Sequence, residues 1–241
     1  MASTRTIIVT GASQGIGAGA VQAFLERGYN VVANSRHITS SDAFRESDKL
    51  ALVAGNIGEI PIAAKVVETA ITKFGSIDAL VNNAGIFFAK PFTEFTPEDF
   101  ERLSTVNLQG FLYVTQGSVK QMLKENRGGS VVSITASTVV NPIAGGLGSV
   151  PMMTKGGIEA ITRSLAIEYA KQHIRFNAVA PGIVDTPMHT NESKDFLKTL
   201  SPMGTISSVR DIADALVYLT EARNITGEVL HVDGGAHQGR W

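Results

Sequence analysis

Three glycines at a fixed spacing are the first residues of this chain that suggest chemistry. Gly11, Gly15 and Gly17 follow the β-branched run Thr6–Thr10 and precede a stretch with helical periodicity at 18–27. Glycine permits a tight turn and a close approach of the backbone to a phosphate, and the free N–H groups at the start of a helix attract negative charge. The pattern therefore predicts a dinucleotide site, with the pyrophosphate at the helix N-terminus.

The residues after the second predicted strand indicate which dinucleotide is bound. A site that prefers NAD places a carboxylate there for the ribose 2′-hydroxyl, whereas an NADP site supplies a cation for the 2′-phosphate. The segment 33–37 has no Asp or Glu and includes Arg36, with hydroxyls nearby at Ser13 and Ser35. We expect NADP(H) to be preferred over NAD(H). The alternative is that Arg36 is a solvated surface residue.

These side chains need a scaffold in which short strands alternate with helices. Buried apolar runs predict strands at 6–10, 29–33, 49–53, 77–81, 130–134, 174–179 and 228–232, and apolar periodicity predicts helices at 18–27, 62–74, 97–124, 155–170 and 209–219. This alternation is typical of a Rossmann-like, doubly wound parallel sheet. No linker or repeat divides the chain, so we expect one α/β domain over 1–241, with a substrate loop at about 187–205.

The composition excludes several functional classes. With 44% hydrophobic and 18% charged residues, the 241-residue chain can bury a core. Its formal net charge of −1 provides no general attraction for nucleic acid or an anionic membrane. There is no cysteine, and the five histidines lack metal-ligand spacing, so we expect no metal site.

The same composition bears on localisation and partners. No apolar run reaches the roughly 20 residues of a transmembrane helix, and the N-terminal residues lack the features of a signal peptide. We therefore expect a soluble cytoplasmic protein that acts on a small molecule and has neither nucleic-acid nor membrane partners.

Five features, in chain order, resemble motifs of the short-chain dehydrogenase/reductase family. They are Thr-Gly-Ala-Ser-Gln-Gly-Ile-Gly at 10–17, Asn-Asn-Ala-Gly at 82–85, Asn107, Pro-Gly-Ile-Val-Asp-Thr at 181–186, and the segment 225–235. The resemblance implies a nicotinamide cofactor, oxidoreduction of a small carbonyl or alcohol, and a homotetramer or homodimer. The residues expected to bind the cofactor are Gly11, Ser13, Gln14, Gly15, Ile16, Gly17, Ser35, Arg36, Asn56, Ile57, Asn83, Ala84, Gly85, Lys155, Pro181, Gly182, Ile183 and Thr186.

The proton-transfer residues depart from the family's pattern. The family has a Tyr four residues before a Lys on one helix face; Lys155 is present here, but Pro151 stands at the Tyr position. No tyrosine lies between Tyr113 and Tyr169, and Tyr169 would lie about 21 Å beyond Lys155 along a helix. Proline has no proton to give, and it is well suited to starting a helix.

Two ways of aligning the chain place the family's active-site Ser at different residues. Reading without gaps from the strand at 130–134 places it at Ala136, whereas counting back from Lys155 favours Ser137 or Thr138. We take Asn107, Ser137 and Lys155 as the candidate catalytic residues.

Two functions remain open at this stage. The first is an NADP(H)-dependent oxidoreductase with a non-standard proton donor, such as water relayed through Asn107 and Lys155, or a hydroxyl of Ser137 or Ser149. The second is a catalytically silent NADP(H)-binding sensor or scaffold protein, because the cofactor half of the site is intact and the proton-transfer half is not.

Overall fold

Seven short strands form one parallel sheet in the computed structural model, which describes residues 4–39, 44–143 and 145–239. The strand order is β3-β2-β1-β4-β5-β6-β7. Strands β2 and β3 are thus added on one side of β1 and strands β4 to β7 on the other, and the order of the strands reverses between β1 and β4. Ligands of open α/β sheets bind at this switch point, outside the carboxyl ends of the strands. The strands are β1 Thr6–Thr10, β2 Asn30–Ser35, β3 Leu50–Ala54, β4 Ala79–Asn82, β5 Gly129–Ile134, β6 Ile174–Pro181 and β7 Val229–Val232.

Helices cover both faces of the sheet, and each face has its own apolar core. One core contains Phe24 and Leu216, and the other contains Val66 and Met122. Within the described ranges, none of the helices has the length and apolarity needed to cross a membrane. The helices are α1 Gly15–Glu26, α2 Ile60–Phe74, α3 Pro97–Leu103, α4 Gly110–Glu125, α5 Ser149–Glu168, α6 Lys194–Lys198 and α7 Val209–Glu221.

The predicted α/β architecture is confirmed: all seven predicted strands are present, with ends shifted by at most two residues. Three details differ from the prediction. The long helix expected at 97–124 is interrupted by a π-helical segment, Ser104–Gln109. Helix α5 begins at Ser149, six residues before the expected start. The stretch 187–205 contains a 3-10 turn, Pro187–His189, and the short helix α6.

Candidate functional site

A cavity of about 270 Å³ opens at the carboxyl ends of β1, β4, β5 and β6. It lies at the switch point of the sheet, where a dinucleotide is expected. The cavity is lined by eleven of the residues predicted from the sequence: Gly11, Gln14, Gly15, Ile16, Asn83, Ala84, Gly85, Lys155, Pro181, Gly182 and Thr186.

The glycine turn between β1 and α1 is shaped so that larger residues do not fit. Gly11 and Gly15 have φ values of +66° and +54°, a region that L side chains rarely adopt. A Cβ atom on Gly17 would lie 2.1 Å from the carbonyl oxygen of Gly11. The Ncap residue, Gln14, makes no capping bond with its side chain. The first turn of α1 therefore presents backbone N–H groups to the cavity and can bind a phosphate.

Hydrogen bonds fix this turn against the end of β4. The Asn83 Nδ2 donates to the carbonyl oxygens of Thr10 and Gly11, both at 3.0 Å. The Thr10 hydroxyl accepts from the backbone N–H groups of Asn83 and Ala84, both at 3.1 Å. The two chain segments that would flank the dinucleotide are thus held together without a ligand.

Lys155 and Asn107 converge beside Gly85. A Cβ atom on Gly85 would lie 3.2 Å from the Lys155 Nζ and 3.4 Å from the Asn107 Oδ1. Glycine at this position therefore allows the ammonium group and the amide to approach the same part of the cavity.

The Lys155 ammonium group is anchored to the sheet. Its Nζ donates to the carbonyl oxygen of Ile134, the last residue of β5, at 2.8 Å. Burial lowers the pKa of Lys155 to about 8, because desolvation disfavours the charged form. A lysine with this pKa can exchange a proton near neutral pH.

Asn107 lies in the π-helical segment and is 1% exposed. Its Oδ1 accepts from the Ile86 N–H at 2.8 Å, and its Nδ2 donates to the Ile86 carbonyl at 3.1 Å and to the Thr154 Oγ1 at 2.9 Å. The Thr154 hydroxyl in turn donates to the carbonyl oxygen of Pro151 at 2.7 Å. Thr154, which sequence reasoning missed, thereby joins Asn107 to the first turn of α5.

Pro151 is the third residue of α5, and it lines the cavity with Met152. An N–H at this position of a helix has no intrahelical acceptor, so proline is tolerated there. The helix therefore presents an apolar ring to the cavity one turn before Lys155.

The candidate hydroxyl groups that follow β5 lie in different environments. Thr135 and Ala136 line the cavity, and the Thr135 hydroxyl donates to the Val179 carbonyl oxygen at 3.3 Å. Ser137 is 4% exposed and is not part of the lining. The Thr138 hydroxyl lies 3.2 Å from the Met152 Sδ.

Five residues predicted to bind the adenosine half lie outside the cavity, around the ends of β2 and β3. The hydroxyls of Ser13 and Ser35 are 2.9 Å apart. The Asn56 Oδ1 accepts from the Gly58 N–H at 3.1 Å, and Ile57 is buried. Arg36 is exposed and has no ion-pair partner in the part of the chain that the structure describes. Its guanidinium is therefore available to a ligand.

The segment after β6 also contributes to the lining of the cavity. A Cβ atom on Gly182 would lie 2.8 Å from that of Asp233, so the chain can pass closely only with glycine here. Ile183 is partly buried, and its carbonyl oxygen accepts from the Ser207 N–H at 3.0 Å. The following turn brings His189 into the lining. No motif in the sequence predicted that His189 would line the cavity, because its position depends on the path of the loop.

Comparisons with known proteins agree with this geometry. A family model described as enoyl-(acyl carrier protein) reductase matches residues 11–237. L-rhamnose 1-dehydrogenase (NAD(P)(+)) from Sphingomonas sp. (strain SKA58) is 30% identical over 249 residues, covering 97% of this chain and 96% of that protein.

Two solved structures share the fold over nearly their whole length. ElxO with NADP bound has a TM-score of 0.89 and 27% identity, covering 98% of this chain and 100% of that one. The 3-ketoacyl-(acyl-carrier-protein) reductase from Brucella melitensis complexed with NADH has a TM-score of 0.88 and 29% identity, covering 98% of this chain and 99% of that one. The chain belongs to the short-chain dehydrogenase/reductase family and is an NAD(P)-dependent oxidoreductase.

Proposed function

We propose that this protein is an NADP(H)-dependent oxidoreductase that interconverts a small carbonyl compound and its alcohol, with Lys155 in place of a tyrosine as the proton donor. The observation that carries the proposal is a cavity that combines an intact glycine turn with Lys155 and Pro151, one helical turn apart.

The residues present fit a nicotinamide dinucleotide. The glycine turn leaves no room for a Cβ atom at Gly11 or Gly17, and Gly15 has a φ of +54°, which suits a backbone that must approach a pyrophosphate. Asn83, Ala84 and Gly85 and the segment of Pro181, Gly182, Ile183 and Thr186 would flank the nicotinamide half, and Asn56 and Ile57 the adenine. When bound, the dinucleotide supplies or accepts the hydride.

The preference for NADP(H) rests on Arg36. Its guanidinium is exposed and unpaired among the described residues, and the preceding residue, Ser35, ends β2 with its hydroxyl 2.9 Å from that of Ser13. A 2′-phosphate there would gain charge-assisted hydrogen bonds, whereas a 2′-hydroxyl would meet no carboxylate. Both features favour the phosphorylated cofactor.

The proton for the carbonyl oxygen would come from Lys155. Reduction of a carbonyl adds a hydride to carbon and a proton to oxygen. Of the side chains that line the cavity, Lys155 and His189 are the titratable ones in the described part of the chain. One N–H of the Lys155 ammonium group donates to the Ile134 carbonyl oxygen, and the other two N–H groups remain available to a ligand. It would give a proton to the developing alkoxide, become the neutral amine, and be reprotonated by solvent.

Asn107 and Ser137 would assist this step. Asn107 holds Ile86 and the first turn of α5, and its Oδ1 approaches the same point beside Gly85 as the Lys155 Nζ, so it would order a water next to the ammonium group. We keep Ser137 as the hydroxyl proposed to bind the carbonyl oxygen; because it is 4% exposed and outside the cavity lining, its side chain would have to turn toward the cavity when the substrate binds.

The substrate would contact a largely apolar wall. Phe87, Met152 and Met188 line the cavity, and residues 187–189 at the start of the expected substrate loop, about 187–205, belong to the lining. A small carbonyl compound with an apolar substituent fits this lining.

We also propose that the chain forms a homodimer or homotetramer through α4 and α5. Apolar side chains on these helices are exposed to solvent in the single chain: Ile167 is 80% and Met153 60% exposed. Burial of such residues against a second copy would be favourable.

Fluorescence titration with NADPH and NADH tests the cofactor assignment. We expect nicotinamide fluorescence to increase on binding, and the increase to occur at lower concentrations of NADPH than of NADH. Equal affinities would remove the NADP(H) preference, and failure of both nucleotides to bind would remove the proposal.

A further inference from the structure

A second cavity lies at the opposite edge of the sheet, where the strands begin. It encloses about 570 Å³ and is formed by the residues before β1 and β4, the starts of β5 and β6, and the loop after α7. It is separate from the dinucleotide site, because the two open at opposite ends of the same strands.

Arginine side chains dominate the lining of this cavity. Arg5 pairs with Glu221 at 2.9 Å, and Arg127 pairs with Asp78 at 3.1 Å and with Glu125 at 2.6 Å. The charges of these two guanidinium groups are therefore largely compensated.

The other two arginines of the lining have no carboxylate partner. Arg175 donates to the carbonyl oxygens of Leu219 and Thr220, at 2.7 and 2.6 Å, and forms no ion pair among the described residues. Arg223 is exposed and forms neither a hydrogen bond nor an ion pair within the described ranges. A local excess of positive charge results, in a chain whose formal net charge is −1.

Two buried hydroxyls point independently to a ligand. Ser130 and Thr220 both line the cavity and are 2% and 5% exposed. Neither the Ser130 Oγ nor the Thr220 Oγ1 has a hydrogen-bond partner in the described protein. Buried polar atoms without partners are costly, and a bound group that supplied acceptors would remove this cost at both positions.

We propose that this cavity binds a small molecule that carries a phosphate group. A phosphate would accept bidentate hydrogen bonds from the Arg223 guanidinium, supported by the positive field of Arg175, and would provide acceptors for the hydroxyls of Ser130 and Thr220. The enclosed volume suits a small molecule rather than a nucleic-acid strand. The inference does not depend on the proposed oxidoreductase chemistry.

NMR titration of the ¹⁵N-labelled protein with inorganic pyrophosphate tests the proposal, because it reports where the probe binds. We expect saturable shifts of the amides of Gly129, Ser130 and Thr226, distinct from any shifts at Gly15 and Gly17. Arg223→Ala should weaken the binding about tenfold, by loss of a charge-assisted contact. Arg223 is exposed, so this substitution leaves the fold intact.

A second variant and a control complete the test. Ser130→Ala should also weaken the binding, by a few-fold, through loss of one hydrogen bond. Arg45→Ala removes an exposed arginine outside the cavity and should change nothing. Shifts confined to the glycine turn, equal effects of Arg223→Ala and Arg45→Ala, or binding of a duplex oligonucleotide without binding of pyrophosphate would each overturn the proposal.

Discussion

Pro151 and Lys155 stand one helical turn apart on α5 and line the same cavity. The helix thus presents an ammonium group and an apolar ring to the same cavity. This arrangement leads to several expectations that can be measured.

Two substitutions of Lys155 should distinguish the effect of its positive charge from the effect of its proton donation. Lys155→Met removes both, and we expect the rate of carbonyl reduction to fall by about 10² to 10⁴. Lys155→Arg keeps the charge but cannot deprotonate, so the rate should fall by a similar factor while NADPH binding changes little. Steady-state kinetics and fluorescence titration measure the two effects. An Arg variant that reduces carbonyls at the native rate would show that Lys155 acts through its charge alone.

Pro151→Tyr should raise the rate of reduction of simple ketones if a missing phenol limits the native protein. The first turn of α5 accepts residues other than proline, because its N–H groups need no intrahelical partner. The comparison is made by NADPH oxidation, with Pro151→Phe as the matched control that lacks the hydroxyl. Equal rates for the Tyr and Phe variants would locate the limitation elsewhere in the cavity.

The positions of the strands and of the glycine turn were predictable because they depend on local pattern. The run of β-branched residues at Thr6–Thr10 and the three glycines after it specify a strand, a turn and a helix within about twenty residues. The position of Arg36 was predictable for the same reason, since it follows β2 directly.

Contacts between distant segments were not predictable. The bond from Asn107 to Thr154 joins residues 47 positions apart, and it depends on the π-helical segment, which no propensity indicated. His189 lines the first cavity only because the loop after β6 carries it there. The second cavity, at the edge of the sheet where the strands begin, is lined by residues as far apart in the chain as Arg5 and Arg223. The predicted helix began six residues too late, at 155, because the first turn of α5, with its proline and the glycines before it, lacks helical periodicity.

Arg36→Ala should discriminate between the two dinucleotides. Loss of the guanidinium removes a charge-assisted contact to the 2′-phosphate, so NADPH affinity should fall about tenfold or more while NADH affinity changes less than twofold. Fluorescence titration gives both constants. Equal losses for the two nucleotides would mean that Arg36 does not contact the 2′-phosphate.

Gly85→Ala should impair the site without unfolding the protein. The added Cβ would lie 3.2 Å from the Lys155 Nζ, which must therefore shift by a few tenths of an ångström, and 3.4 Å from the Asn107 Oδ1. We expect a loss of carbonyl reduction of at least tenfold at nearly unchanged Tm. Gly157→Ala, whose Cβ would meet only Leu108 at 3.9 Å, is the control and should keep full activity.

Thr154→Val should destabilise the first turn of α5. The substitution removes two buried hydrogen bonds, from the Asn107 Nδ2 to the Thr154 Oγ1 and from the Thr154 Oγ1 to the Pro151 carbonyl oxygen, at a cost of about 1–3 kcal/mol in the free energy of unfolding. Urea denaturation measures this difference. Thr154→Ser retains the hydroxyl and should recover most of the stability; a Ser variant as unstable as Val would assign the effect to packing instead.

The pH dependence of NADPH oxidation by a carbonyl substrate tests the central claim most directly. Burial lowers the pKa of Lys155 to about 8, so the ammonium form that gives the proton is present below that pH and is lost above it. We predict that the rate of reduction is high at neutral pH, falls as the pH rises through about 8, and loses this pH dependence in Lys155→Met. A rate that stays constant or rises through that range, or tight NADPH binding without oxidation across a panel of aldehydes and ketones, would contradict the account.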